Sequence, residues 1–409
     1  MTRVLVTDAG RASGLAVLRS LGRRGIEVVA ADESRRSRAF VSRYADARVV
    51  YPSPLRDAKG AVEAIARAAE AHEVDLVLPV GEDVVVLLAA TRDRFAGIAP
   101  LALPEPDALA TTRDKLRTVE LAARLGVPAP QTRLVETAAE ADEAIESFSW
   151  PVVLKPQASR RLDPGQNVER FAVAYAADRE QLALLLRRFE GRCAVLLQEY
   201  WRGEGHGVGL LLRRGETLLA FQHRRLREVP YTGGPSSFRE GVPLDPELLD
   251  YSQRLLGALE WTGPAMVEFK LGPNGASLME INGRLWGSLA LAVKSGVDLP
   301  ARMVDVFLSP ETPREQAQLD YEAGVRSRDL GLELSWAGSV LRGAPRYDFL
   351  DVPSRREGLE TLVRLLDPRD GFDVMSARDP LPGLAELLGL AVKVPARLLR
   401  STRLQRGRA

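Results

Sequence analysis

Glu268, Glu280 and Asn282 lie close together in the stretch AMVEFKLGPNGASLMEIN, and all three carry side-chain oxygens able to hold a hard cation. Glu280 and Asn282 are two residues apart, so in a strand they share one face, although their neighbours Leu278, Met279 and Ile281 favour burial. The turn GPNG at 272–275 sets the pairing. Pro273 and Asn274 suit the centres of a type I turn and Gly275 the following left-handed position, a three-residue hairpin loop. Gly272 then pairs with Ala276, and counting outward puts Glu268 directly opposite Glu280. Facing carboxylates repel at a cost of up to about 1 kcal/mol, and a cation between them removes the objection. With Asn282 on the same face, three oxygens converge, a set suited to Mg2+ that keeps waters and takes phosphate oxygens as its other ligands. Arg284, two residues on, could grip the same phosphates bidentately. The alternative is a solvated sheet face that carries these residues by chance.

Other residues gain meaning from this company. Lys155 follows the apolar run PVVL and Lys115 opens a helical stretch; taken singly, each reads as a surface lysine. In LLQEYW, Gln198, Glu199, Tyr200 and Trp201 end a strand, where a backbone edge beside an aromatic could pair with an adenine and cover its ring. A strand end with a core aromatic accounts for them equally well. His223, Arg224, Arg225, Arg227 and Arg239 surround Thr232-Gly233-Gly234; arginines bind carboxylate or phosphate, and a glycine loop could close as a lid. A solvated hairpin of Arg/Glu pairs is the competing reading. His206 and His223 lack metal-ligand spacing, and Trp286 reads as core packing. Gly10, Gly14 and Asp32 follow the first two strand patterns as a dinucleotide site would, but the spacing is not G-x-G-x-x-G, which favours a plain tight turn over NAD.

These residues must be positioned by elements. Up to about residue 105, the β-branched runs RVLVTD, EVVAAD, ARVVYP and VDLVLPV alternate with helical patterns, the signature of a parallel, Rossmann-like layer. A Pro-bounded helical segment then leads into a region of buried strands and two hairpins, the first turning at Arg214-Gly215. YEAGVRSRDLGLELSWAGSVLRG and SRREGLETLVRLL read as helices. VKVPARLLRSTRLQRGRA is a basic tail; it reads as frayed and solvated, or, joined to LPGLAELLGL, as a surface-seeking amphipathic segment. A chain of 409 residues implies two to three domains. Its 56 Lys+Arg against 55 Asp+Glu leave no field to attract nucleic acid or a membrane, which points to small molecules. No signal peptide or membrane span is evident, and the lone Cys193 excludes a disulfide framework and fits a reducing cytosol.

In order, Lys115, VVLKP, LLQEYWRGE, MVEFK and LMEINGR resemble the ATP-grasp superfamily, in the branch similar to carbamoyl-phosphate synthase large-subunit halves and carboxylate-amine ligases. The resemblance covers roughly residues 1–310. It implies an α/β and α+β architecture: a Rossmann-like pre-ATP-grasp domain at 1–108, a two-subdomain ATP-grasp domain at 109–312, and a helical C-terminal extension with the basic tail at 313–409. It implies that Lys115 and Lys155 contact ATP phosphates and that Gln198, Glu199, Tyr200 and Trp201 form the adenine hinge. Glu268, Glu280 and Asn282 would hold Mg2+, with Mn2+ an alternative, and Arg284 with Lys155 would serve the transferring phosphoryl group. The implied activity is a cytoplasmic ligase that joins a small carboxylate to an amine through an acyl phosphate, releasing ADP and phosphate, with a homodimer as a further possibility. A non-catalytic ATP-binding module and an NAD-dependent oxidoreductase are the alternatives. Two departures stand out. The phosphate-covering loop KPQASRRLDPGQNVERF has only Gly165, leaving Arg160 and Arg161 to replace backbone amides. The usual ribose-binding acid falls on Gly205, so Glu204 is taken for that role.

Overall fold

The computed structural model describes residues 1–163, 165–231, 233–309, 316–343, 349 and 352–391. The basic tail after 391 and Thr232 of the proposed lid lie outside them.

The β-branched runs at the N-terminus form β1 (Arg3–Val6), β2 (Glu27–Asp32), β3 (Ala47–Val50) and β4 (Leu76–Leu78). They make a parallel sheet in the order β3-β2-β1-β4. Helices α1 (Ala12–Arg23), α2 (Ala58–Ala71) and α3 (Glu82–Ala90) cover it. Most residues of β1, β2 and β4 are buried, as a parallel sheet covered on both faces requires. The linker forms α4 (Pro106–Arg113) and α5 (Lys115–Arg124). Asp114 breaks the helix between them in an extended conformation and caps α5, accepting from Leu116 N and Arg117 N, which sets Lys115 at the first helical position.

A small sheet follows, built from β5 (Thr132–Val135), β6 (Val152–Pro156), β9 (Ala174–Ala176) and β10 (Val195–Glu199) in the order β5-β10-β6-β9. It is backed by α6 (Ala138–Ala144) and α7 (Arg179–Leu186), and a separate ribbon of β7 (Arg160–Leu162) and β8 (Val168–Arg170) leaves it. The large sheet contains β11 (Glu204–Arg213), β12 (Glu216–Glu228), β13 (Ser236–Val242), β14 (Gly263–Gly272) and β15 (Gly275–Asn282), with α8 (Pro246–Ala258) on one face. α9 (Leu289–Lys294) and α10 (Leu299–Leu308) come next. The remaining elements are β16 (Arg326–Arg328), α11 (Leu330–Arg342), α12 (Arg355–Arg364), β17 (Asp370–Phe372) and a helix over 381–391.

Two sequence expectations are corrected. VRSR, read as helical, is the strand β16: it pairs antiparallel with β13 and parallel with β17, completing a seven-stranded sheet β15-β14-β11-β12-β13-β16-β17. Its arginines, Arg326 and Arg328, find carboxylates on the neighbouring strands, Glu240 of β13 and Asp370 of β17, a tertiary pull that local pattern does not contain. At the β14/β15 turn, Gly272 pairs with Gly275 rather than Ala276, so the loop has two residues and Gly275 adopts φ +92°. The register shifts again between Glu268 and Phe269, where Met279 is the extra residue, and this bulge restores Glu268 to the position opposite Glu280. The expected pairing is therefore present, through two offsets that cancel.

Candidate functional site

The β14/β15 hairpin brings Glu268, Glu280 and Asn282 onto one face, against the small sheet. Asn282 Nδ2 donates to Glu268 Oε1 at 2.9 Å and to Glu280 Oε1 at 3.3 Å, while its Oδ1 accepts from Arg284 Nη2 at 3.0 Å. Glu268 also pairs with Arg225 of β12. The two carboxylates titrate apart. Burial raises Glu268, and the facing Glu280 adds to this, with Arg225 opposing. Burial also works against ionised Glu280, but Lys115, Lys155, Arg225 and Arg284 outweigh it and hold the group below the usual carboxylate range.

The lysines arrive from the other side of the cleft. Lys155 leaves β6 and donates to the carbonyl of the bulged Met279 at 3.3 Å; burial brings its pKa down to about 8. Lys115 Nζ donates to Ser159 Oγ at 2.8 Å. Lys115, Lys155, Gln198, Glu280, Asn282 and Arg284 line one cleft, about 90 Å³ in volume, between the two sheets. Two carboxylates and one amide fit a divalent cation that takes its remaining ligands from phosphate and water. In this arrangement the Asn282 amide nitrogen faces the acids, and a rotation about its terminal torsion would present the oxygen instead. Among the described residues, no group of three or more His, Cys, Asp or Glu is placed to hold a metal.

The hinge residues divide. Gln198 is buried, donates to Thr132 Oγ1 at 2.9 Å and faces the cleft beside Lys155. Glu199, Tyr200 and Trp201 line a second, more open hollow instead. Glu199 accepts from Gln131 N at 3.4 Å, the Trp201 carbonyl accepts from Lys270 Nζ at 3.2 Å, and Tyr200 lies under the Lys270 ammonium at 5.2 Å.

Glu204 does not reach the cleft side. It pairs across the ladder with Leu271, while Gly207 pairs with Glu268, and alternation puts Glu204 on the opposite face of β11. There it bonds His206 Nε2 at 2.9 Å and lies 3.6 Å from Arg224. The carboxylate on the cleft side at this point belongs to Glu228 of β12, whose Oε1 lies 3.3 Å from where a Cβ on Gly205 would sit. Sequence reasoning missed Glu228 and the Arg225 contact to Glu268; the signal was strand parity once β12 is paired with β11.

The phosphate-covering segment is also corrected. Arg160 bonds Asp83 of α3 at 2.7 Å, Arg170 bonds the same carboxylate at 3.2 Å, and Arg161 bonds the Arg192 carbonyl. Val168 is buried and its N–H donates to Pro54 O at 3.0 Å. The β7/β8 ribbon is thus clasped to the N-terminal layer, and these arginines are not aimed at a phosphate. The expected anion-binding arginines are similarly engaged: Arg224 with Glu240 at 2.8 Å, Arg225 with Glu228 at 2.9 Å, Arg227 with Glu333 at 2.5 Å, and Arg239 with Asp373. His223 is fully enclosed and stays neutral, because burial and the adjacent Arg225 and Arg239 drive its pKa well down. Trp286 is buried over Gly209, as core packing requires. In the N-terminal turn, both oxygens of Asp32 accept backbone amides, from Gly10 at 2.7 Å and Ser34 at 2.8 Å. That carboxylate closes its own turn and is not offered to a ribose.

Comparison with known proteins bears on the fold. Residues 192–328 match the family described as "ATP-grasp in the biosynthetic pathway with Ter operon". The chain is 25% identical over 238 residues to a ribosomal protein bS6–L-glutamate ligase of Shigella boydii, covering 56% of this chain and 75% of that protein. Among solved structures, it resembles the biotin carboxylase domain of Hydrogenobacter thermophilus 2-oxoglutarate carboxylase, determined with MgADP, ADP and bicarbonate: TM-score 0.63, 17% identity, covering 80% of this chain and 73% of that one. It also resembles an L-amino acid ligase from Bacillus licheniformis, with TM-score 0.57 and 17% identity over 76% of this chain and 74% of that one. The chain carries an ATP-grasp domain. The curated relatives that it matches are ligases.

Proposed function

We propose that this chain is a magnesium- and ATP-dependent ligase that joins a carboxylate to an amine through an acyl phosphate, with residues 1–108, 109–312 and 313–409 as its three units. The observation that carries the reading is the face-to-face pair Glu268 and Glu280, with Asn282 and Arg284 beside it and Lys155 and Lys115 opposite. Buried like charges persist only where something compensates them. Here the compensation is an excess of cations around a cleft.

In the reaction, Lys115 and Lys155 would hold the nucleotide phosphates, Gln198 and the backbone to Trp201 would face the adenine, and Glu268, Glu280 and Asn282 would hold magnesium. Magnesium supplies charge neutralisation at the transferring phosphoryl group. Arg284 binds that group as an oxygen of the substrate carboxylate attacks phosphorus and the bond to ADP breaks. The amine then attacks the acyl carbon, phosphate leaves with the C–O bond electrons, and the proton lost from nitrogen goes to the departing phosphate. A cleft of about 90 Å³ is below the roughly 300–1,000 Å³ of formed ligand sites. The two sheets must part to admit ATP and close again over it.

The test is ADP release across a panel of carboxylate and amine pairs. The ligase reading expects magnesium-dependent ADP release with at least one pair. Nucleotide binding with no release for any pair would favour the non-catalytic module.

A further inference from the structure

The helix over 381–391 is docked with its one charged side chain inward. Its one acid, Glu386, is buried and paired with Arg38 of the N-terminal layer, and Pro382 and Gly383 are buried beside it. Just before the helix, buried Asp379 accepts from Arg19 Nε at 2.9 Å, Ser42 Oγ at 2.8 Å and Arg43 N at 3.0 Å. These bonds fix the rotation of the helix. Leu381, Leu384, Leu387 and Leu388, which share one side at helical spacing, therefore face outward, between 45% and 61% exposed.

This reverses the usual arrangement, in which a surface helix buries its leucines and shows its charges. Water does not select such an orientation, because each exposed leucine forgoes the gain from burial. The stretch that follows adds the second observation. Residues 392–409 contain Lys393, Arg397, Arg400, Arg403, Arg406 and Arg408 and no acid, against a whole-chain balance of +1. An apolar helix face continued by clustered cations has the chemistry of a surface that inserts leucines between acyl chains while cations meet anionic headgroups.

We propose that the helix over 381–391, together with the basic stretch after it, docks the protein on an anionic lipid surface. The attachment is peripheral, since no described helix is long and apolar enough to cross a membrane. It is independent of the ligase reading. Both parts contribute: the leucines supply insertion and the cations supply preference for negative headgroups.

The test is co-sedimentation of the full chain with vesicles of phosphatidylcholine alone and of phosphatidylcholine mixed equally with phosphatidylglycerol, at low and high salt. The expected result is at least tenfold more protein pelleted with the mixed vesicles, falling as salt rises. The variant L384S/L388S should lose most of this binding with all six cations retained, while its melting temperature stays unchanged. Replacing the six cations by glutamine should remove the preference for anionic vesicles. No pelleting by the wild-type chain, equal pelleting with both vesicle types, or full binding by L384S/L388S would overturn the proposal. So would a lipid-free dimer in gel filtration that L384S/L388S abolishes, since the leucine face would then belong to a second copy.

Discussion

The large sheet carries two buried charge clusters that differ in how their charges are balanced. Across β12, β13, β16 and β17, the buried arginines meet acids within the belt: Arg227 and Arg328 share Glu333, Arg328 also meets Asp370, and Arg239 meets Asp373. At the β14/β15 hairpin, two acids face each other, and of the cations that hold Glu280 ionised only Arg284 is local, while Lys115, Lys155 and Arg225 come from other parts of the chain. The belt is a closed account. The hairpin keeps its charge state only because α5, β6 and β12 deliver lysines and an arginine to it. A balanced network specifies packing, whereas acids facing across a cleft ringed by cations are arranged for something that enters.

The sharpest way to separate the two is to neutralise one acid in each. Glu280→Gln should lower ADP release by about a hundredfold or more, the order expected for loss of electrostatic stabilisation at a reacting group, with little change in urea midpoint. Full activity in that variant would place the metal elsewhere. In the belt, Arg239→Met leaves Asp373 buried and unpaired and should cost about 3–5 kcal/mol, read as a fall in urea midpoint. Adding Asp373→Leu should recover most of that loss if the belt is scaffolding; no recovery would mean that Arg239 does more than pair. Asp83→Asn should loosen the β7/β8 ribbon, costing about 2 kcal/mol for charged hydrogen bonds and opening the ribbon to limited proteolysis before global unfolding. An unchanged cleavage pattern would show that Val168 and its bond to Pro54 hold the ribbon alone.

The last effect is a pH dependence. Burial brings Lys155 down to about 8 in the folded chain, from 10.5 for a solvated lysine. Between those values the unfolded chain binds the extra proton, so stability rises with pH across that window, and below pH 8 the charged, buried ammonium opposes folding. Lys155→Met should flatten this rise in urea titrations. Over the same window kcat/KM should fall as the free enzyme loses the ammonium. A wild-type stability that is level from pH 8 to 10 would contradict the buried setting of Lys155.

Much of this was legible in sequence. Alternation and β-branching gave the parallel N-terminal layer, and the two-residue spacing of Glu280 and Asn282 gave the site's face. The hairpin register shows the limit: a two-residue turn and a bulge at Met279 are each worth little locally, and only the packing of Leu278 and Ile281 into the core fixes both. Glu204 was misplaced because position along the chain was read where parity across the ladder decides. Arg160 and the belt arginines looked open to ligands because their partners, Asp83, Glu333 and Asp373, lie tens of residues or more away in sequence. Asp32 invited a nucleotide reading for the same reason in reverse, since its nearest donors are the amides of its own turn.

The measurement that bears most directly on the hairpin is thermal unfolding of the wild-type chain and of Glu280→Gln with ATP, each in magnesium and in EDTA. At roughly a hundred times its dissociation constant a ligand adds about 2.7 kcal/mol, a rise of several degrees for a chain of this size. A rise seen with ATP and magnesium, lost in EDTA and lost in Glu280→Gln, is the result this account predicts. A rise that survives both EDTA and the substitution would contradict it, because nucleotide would then bind without the facing carboxylates.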